Sequence, residues 1–303
     1  MMKKMEDINF MKKQFEGAFP VLITPMHEDY SVNYEGMKAN VQYYLDQGAA
    51  GIVIVGSTGE FASLDEAEKK QIVEQVGPMV KDTDTRLLVG IADERTSKVI
   101  EYARHAEENH ADGLLLINSF YQTPTEEEAF HQFKDVNDVV TKPIMMYNNP
   151  FTANVNLEDE TIFRIDRELD KVEYIKESSG DIRKVRAVAN NTDLVLFCGS
   201  DDLAFESFVQ GATGWVSVAA NIAPNSAAKL YDLVKAGKYD EAKALNKDLL
   251  PLCEFLEDSG KYVQIVKKAM DLKGLNGGPS RKPRLGLTDD EVSQLKSLME
   301  KLD

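Results

Sequence analysis

Lys176 stands at the end of the short apolar run VEYIK, where an amine can be held against a dry pocket. Desolvation disfavours the ammonium form, so such a lysine titrates below its free value of about 10.4 and can attack a carbonyl. The chemistry this suggests is a Schiff base. A solitary strand-end lysine more often snorkels to water, so the reading depends on its company. Tyr147 closes the preceding apolar run, PIMMY, and a phenol beside an imine-forming amine can shuttle the protons that carbinolamine formation and breakdown require. The segment Gly56-Ser57-Thr58-Gly59-Glu60 follows another such run, and its two hydroxyls and accessible backbone N–H groups suit a carboxylate cradle as well as a tight turn. Tyr121 follows a fourth run, GLLLIN.

The elements that must position these residues recur along the chain. Eight aliphatic runs, PVLIT, GIVIV, RLLVGI, GLLLIN, PIMMY, VEYIK, LVLFC and GWVSV, are each followed by a helical pattern such as SKVIEYARHAEENH. Near-continuous apolar strands are covered on both faces, which predicts an α/β fold: a TIM (β/α)8 barrel with additional C-terminal helices. An open doubly wound sheet is disfavoured because no G-x-G-x-x-G follows GIVIV. The expected organisation is an N-terminal helical lead over 1–16, the barrel core over 17–225, and the last barrel helix with a helical extension over 226–303. Residues at strand C-termini carry the chemistry of such barrels, which selects Lys176, Tyr147, Gly56 to Glu60 and Tyr121.

Composition narrows the partners. The 303-residue chain carries a formal charge of −16, which would repel nucleic acid and anionic membrane surfaces. Cys198 and Cys253 read as reduced core thiols, suiting the cytoplasm. The charged N-terminus lacks the uninterrupted apolar stretch of a secretory signal, and no run approaches the ~20 apolar residues of a membrane span. His27, His105, His110 and His131 have no partners at ligand spacing, so no metal and no cofactor beyond the covalent imine on Lys176 is expected. The acids Asp201-Asp202 and Glu126-Glu127-Glu128 fit helix N-termini and are taken as structural.

The blocks GAFPVLITP, VGSTGE, SFYQTPTEEE, MYNNP, IKESSGD, GSDD and GATGWVSVAAN, in this order, resemble the dihydrodipicolinate synthase and N-acetylneuraminate lyase family over nearly the whole chain. The resemblance implies a lysine Schiff base at Lys176 to a small 2-oxo or imino acid, Tyr147 as proton shuttle, and Ser57 and Thr58 on the substrate carboxylate. It also implies a homo-oligomer, dimer or tetramer, in which Tyr121 reaches a neighbouring subunit's site and relays protons through Thr58. Gly56, Thr152, Val216 and Ser200 join Ser57 as substrate-contact candidates, with Phe151, Asp201 and Trp215 as secondary candidates near the pocket; a Trp beside Gly214 is more often a core residue.

Departures from the synthase pattern steer the choice of reaction. Thr152 stands where synthases carry an arginine that receives the carboxylate of aspartate semialdehyde, and a threonine offers no bidentate charged clamp. Glu66 and Lys69 occupy the region where lysine-inhibited synthases often carry histidines, so feedback inhibition by lysine is not expected. The blocks around Tyr147–Pro150, Ile175–Arg183, Phe197–Leu203 and Gly214–Val216 resemble the subgroup that deaminates 1-pyrroline-4-hydroxy-2-carboxylate, and that reaction is the leading expectation. The alternatives are 4-hydroxy-tetrahydrodipicolinate (dihydrodipicolinate) synthesis from pyruvate and aspartate semialdehyde, and pyruvate-dependent aldol cleavage of a 2-keto-3-deoxy sugar acid. A 2-oxo acid sensor on the same fold is the non-enzymatic alternative.

Overall fold

The computed structural model describes residues 15–302. The expected N-terminal helix therefore falls outside the described residues, save Phe15 and Glu16, which lead into the first strand without helical structure. Eight parallel strands follow: β1 (Gly17–Pro20), β2 (Gly51–Ile54), β3 (Arg86–Gly90), β4 (Gly113–Ile117), β5 (Ile144–Asn148), β6 (Val172–Glu177), β7 (Val195–Cys198) and β8 (Gly214–Ser217). They pair in the order β1-β8-β7-β6-β5-β4-β3-β2. Helices cross between them, as βαβ connections require.

The first strand is displaced from the expected PVLIT run. Gly17 to Pro20 pair with β8, and Val21 still donates to Ser217 O, but Leu22 N donates to Val53 O at 2.8 Å. The chain thus changes partner at Val21, whose bridge to Val53 closes the barrel between β1 and β2. Aromatic rings pack against one another across the strands. Phe15 stacks on Tyr174 at 4.6 Å, and Phe19 meets Phe197 edge-on at 5.3 Å. Room for them comes from glycine: a Cβ on Gly51 would lie 2.3 Å from the Phe19 ring, and one on Gly214 would lie 2.1 Å from Phe197.

The helices begin where the sequence supplies caps. Asp65 with Glu68 and Thr125 with Glu128 form reciprocal capping boxes, so the run Glu126 to Glu128 is a helix start, as expected. After β8 come helices Pro224–Lys235, Tyr239–Asp258, Tyr262–Leu272 and Asp289–Met299. Among the described residues no helix is long and apolar enough to cross a membrane. Cys198 and Cys253 are buried free thiols.

Candidate active site

Side chains alternate along a strand, so Lys176 points the same way as Tyr174, into the barrel but two residues nearer its C-terminal end. Tyr147 and Lys176 are direct register partners on β5 and β6. Both are 5% exposed, and the Lys176 amine lies 4.0 Å from the centroid of the Tyr147 ring. The Tyr147 hydroxyl accepts a hydrogen bond from Asn149 Nδ2 at 2.7 Å, and Asn149 Oδ1 accepts from Thr152 N. Asn149 therefore ties the phenol to the short helix Pro150–Ala153 that carries Thr152. Phe151, on the same turn, is largely exposed.

Each strand runs one residue beyond the expected pair, and those residues lock the strand ends together. Asn148 Nδ2 donates to Glu177 Oε2 at 2.8 Å, while Glu177 Oε1 accepts from Ser179 N. Burial pushes the Glu177 carboxyl above its ordinary range, partly offset by its bonds to Ser179 and Asn148. On the far side of Lys176 lies Gly199, just past β7. A Cβ there would sit 1.9 Å from Ser178 Oγ and 2.8 Å from Lys176 Cε, so only glycine lets the lysine stem lie flat against this loop. Ser178 is buried, and its hydroxyl has no hydrogen-bond partner among the described residues. A buried unpaired hydroxyl beside the amine is a ready partner for a substrate oxygen.

The β2 loop is strained. Val55 has φ +56° and Glu60 φ +58°, left-handed backbone that a β-branched residue rarely adopts. The turned Val55 carbonyl is accommodated by Gly90, where a Cβ would come within 2.2 Å of it. Thr24 Oγ1 ties the loop to the barrel by donating to Gly59 O at 2.7 Å. Glu60 N and Phe61 N donate back into the turn, whereas the N–H groups of Ser57, Thr58 and Gly59 donate to nothing among the described residues. Thr58 is buried and Ser57 half-buried. Unpaired N–H donors on a strained, anchored turn are what an anion cradle needs.

Tyr121 is 82% exposed, and Val216 is a wall residue of the barrel paired with Phe19. Ser200 sits half-buried in the β7 loop, where its carbonyl accepts from Cys198 Sγ. Trp215 is fully buried core; its indole donates to Asp201 Oδ1 at 2.7 Å, and Asp201 also accepts from Val218 N and Ala219 N. Asp201 thus knits the β7 and β8 loops together. Sequence reasoning missed Ser178, Gly199, Val55 and Glu177. A cavity of about 240 Å³ beside the start of β1, lined by Gly17, Ala50, Tyr231 and Lys235 among others, touches none of the candidates.

Residues 14–302 match the dihydrodipicolinate synthetase family model. The chain belongs to that family. As a family member it is an enzyme of the lyase class that works through a lysine Schiff base. It is 31% identical over 287 residues to the 4-hydroxy-tetrahydrodipicolinate synthase of Methanococcus maripaludis strain S2, covering 95% of this chain and 98% of that one. The synthase of Methanothrix thermoacetophila is 33% identical over 293 residues, covering 95% and 97%. Among solved structures, the dihydrodipicolinate synthase of Acinetobacter baumannii complexed with pyruvate superposes with a TM-score of 0.88 at 26% identity, over 95% and 99% of the two chains. These relatives side with the synthase alternative rather than with the pyrroline deaminase that the motifs around Tyr147 and Lys176 favoured.

Proposed function

We propose that Lys176 forms an imine with the carbonyl of pyruvate and that the protein is a 4-hydroxy-tetrahydrodipicolinate synthase. The observation that carries this reading is the buried Lys176–Tyr147 pair, 4.0 Å from amine to ring, at the C-terminal end of a barrel whose curated relatives bear that name. Attack of the amine on the keto carbon gives a carbinolamine, and loss of water gives the imine. Tyr147 is placed to carry the protons of both steps, with Asn149 fixing its hydroxyl. The free N–H groups and hydroxyls of the Ser57-Thr58 turn hold the pyruvate carboxylate. Removal of a methyl proton then yields an enamine, whose carbon attacks the aldehyde of aspartate semialdehyde. Ser178 and Ser200 line the loops beside the amine, and Gly56, Thr152 and Val216 complete the surrounding wall.

The exposure of Tyr121 supports a role outside its own chain: its phenol enters the site of a second copy and joins the relay through Thr58. The functional unit in this reading is a dimer or tetramer.

One observation favours a second reaction. Thr152 offers no guanidinium for a second carboxylate, and deamination of 1-pyrroline-4-hydroxy-2-carboxylate to 2-oxoglutarate semialdehyde and ammonia needs none. The two are separated by giving the enzyme pyruvate with aspartate semialdehyde, or the pyrroline alone. Consumption of both carbonyl compounds without ammonia release supports the synthase; ammonia from the pyrroline alone transfers the assignment to the deaminase.

A further inference from the structure

Tyr121 combines a side chain that is 82% exposed with a backbone held from three directions. Glu94, on the loop after β3, accepts from both Phe120 N and Tyr121 N through one carboxylate oxygen, each at 2.9 Å. Successive N–H groups converging on one point form a nest for an anion, and a carboxylate in it makes charge-assisted bonds, the stronger class. From the loop after β5, Asn154 Nδ2 donates to Phe120 O at 2.8 Å. From the loop after β2, the ring of Phe61 meets the ring of Phe120 edge-on at 5.8 Å. Two residues beyond Tyr121, Thr123 has φ +22°. Three loops of the barrel mouth thus grip the peptide that carries Tyr121, while the phenol projects away from them. An exposed tyrosine with no task outside its own chain has no need of such a stem.

We propose that Glu94 is a positioning residue: its carboxylate fixes the Phe120–Tyr121 peptide so that the Tyr121 phenol is presented in one place to the site of a second copy of the chain. The inference rests on the reading of Tyr121 as a relay group, and it adds the element that aims it. Proton transfer demands a placement within hydrogen-bond reach, and a displacement of about 1 Å in a catalytic group can lower a rate on the order of 100-fold. Freeing the two N–H groups releases Tyr121 from that placement without removing any group that touches pyruvate. Glu94 is exposed, so its replacement leaves no cavity.

The test follows exchange of the pyruvate methyl protons in D2O by NMR, which needs the imine and enamine but no second substrate. The full-length wild type is compared with Glu94→Ala, Glu94→Gln, Tyr121→Phe and the Glu94→Ala/Tyr121→Phe pair. Glu94→Ala is expected to slow exchange at saturating pyruvate by about 10-fold or more, with KM within about twofold and with Tm and oligomeric state unchanged. Glu94→Gln, which keeps the acceptor oxygen, is expected to recover most of the rate. The double variant is expected to be no slower than Tyr121→Phe alone, because both changes remove the same contribution. Wild-type exchange in Glu94→Ala while Tyr121→Phe is slow would overturn the positioning role, as would losses that multiply in the double variant. Unimpaired exchange in Tyr121→Phe would instead remove the relay reading, and the inference with it.

Discussion

At the residue scale the site is a lysine whose stem lies in a slot closed by a glycine. Gly199 forms that slot, and a methyl group there would overlap Ser178 Oγ and Lys176 Cε. Gly199→Ala is therefore expected to push the amine off the Tyr147 ring and to slow imine formation by roughly 100-fold, with the fold retained by circular dichroism. A rate unchanged in single-turnover trapping would show that the slot is not required. Lys176 and Tyr147 were legible in the sequence because each ends an apolar run, and strand order alone makes them neighbours. The Ser57-Thr58 turn was legible from its residue types. Ser178, Gly199 and Val55 were not, because what marks them is spatial: an unpaired buried hydroxyl, a close approach across two strands, and a left-handed φ on a residue whose type reads as strand. Thr152 and Val216 took their candidacy from motif position. The structure links Thr152 to the site through Asn149 and leaves Val216 in the wall.

At the element scale, the C-terminal helices are braced against the loops that hold the chemistry. Glu60, the last residue of the cradle turn, is fully buried and pairs at 2.5 Å with Lys267 of helix Tyr262–Leu272, which is 2% exposed. Glu60 Oε2 also accepts from Arg281 N, and Arg281 pairs with Glu68 and donates to Ser63 O. Removing one member of a buried pair strands the other charge, so Lys267→Met is expected to destabilise the protein by about 3–5 kcal/mol. Adding Glu60→Gln to it should restore part of that loss, as read by urea denaturation. If Lys267→Met alone is neutral, the pair does not anchor the turn. The sequence showed that extra helices follow β8, but a pairing across some two hundred residues leaves no local pattern. The shift of β1 from PVLIT to Gly17–Pro20 has a similar origin. Which sheet edge a short apolar run joins is decided by barrel closure, and Val21 changes partner there.

At the scale of the whole molecule, an acidic chain brings two carboxyls together between the barrel and its extension, Asp201 buried and Glu257 against its backbone. Glu257, on helix Tyr239–Asp258, accepts from Asp201 N at 2.9 Å. Burial, then the nearby Glu257 charge, pushes the Asp201 carboxyl from its ordinary value of 3.8 up to about 7. Glu257 as a residue is exposed, yet its carboxyl is desolvated where it meets the Asp201 backbone and is likewise raised. A raised folded-state value means that the stabilising contribution is complete below the ordinary carboxylate range and is lost as pH rises towards 7. Stability should therefore decline between about pH 4 and 7 on this account. Glu257→Gln, which keeps the bond to Asp201 N without the charge, should flatten the decline and raise Tm above pH 7 by about 2 °C, the scale of ~1 kcal/mol in a chain this long. Parallel Tm profiles for the two proteins would contradict it. Fold class was the most legible property of all, because eight apolar runs alternating with amphipathic segments admit few other arrangements.

Whether the buried amine beside Tyr147 is the nucleophile is decided by mass mapping after borohydride reduction in the presence of pyruvate. One reduced pyruvate adduct per chain is expected, located on Lys176 and absent from Lys176→Ala. No adduct, or an adduct on another lysine that persists in Lys176→Ala, would contradict it.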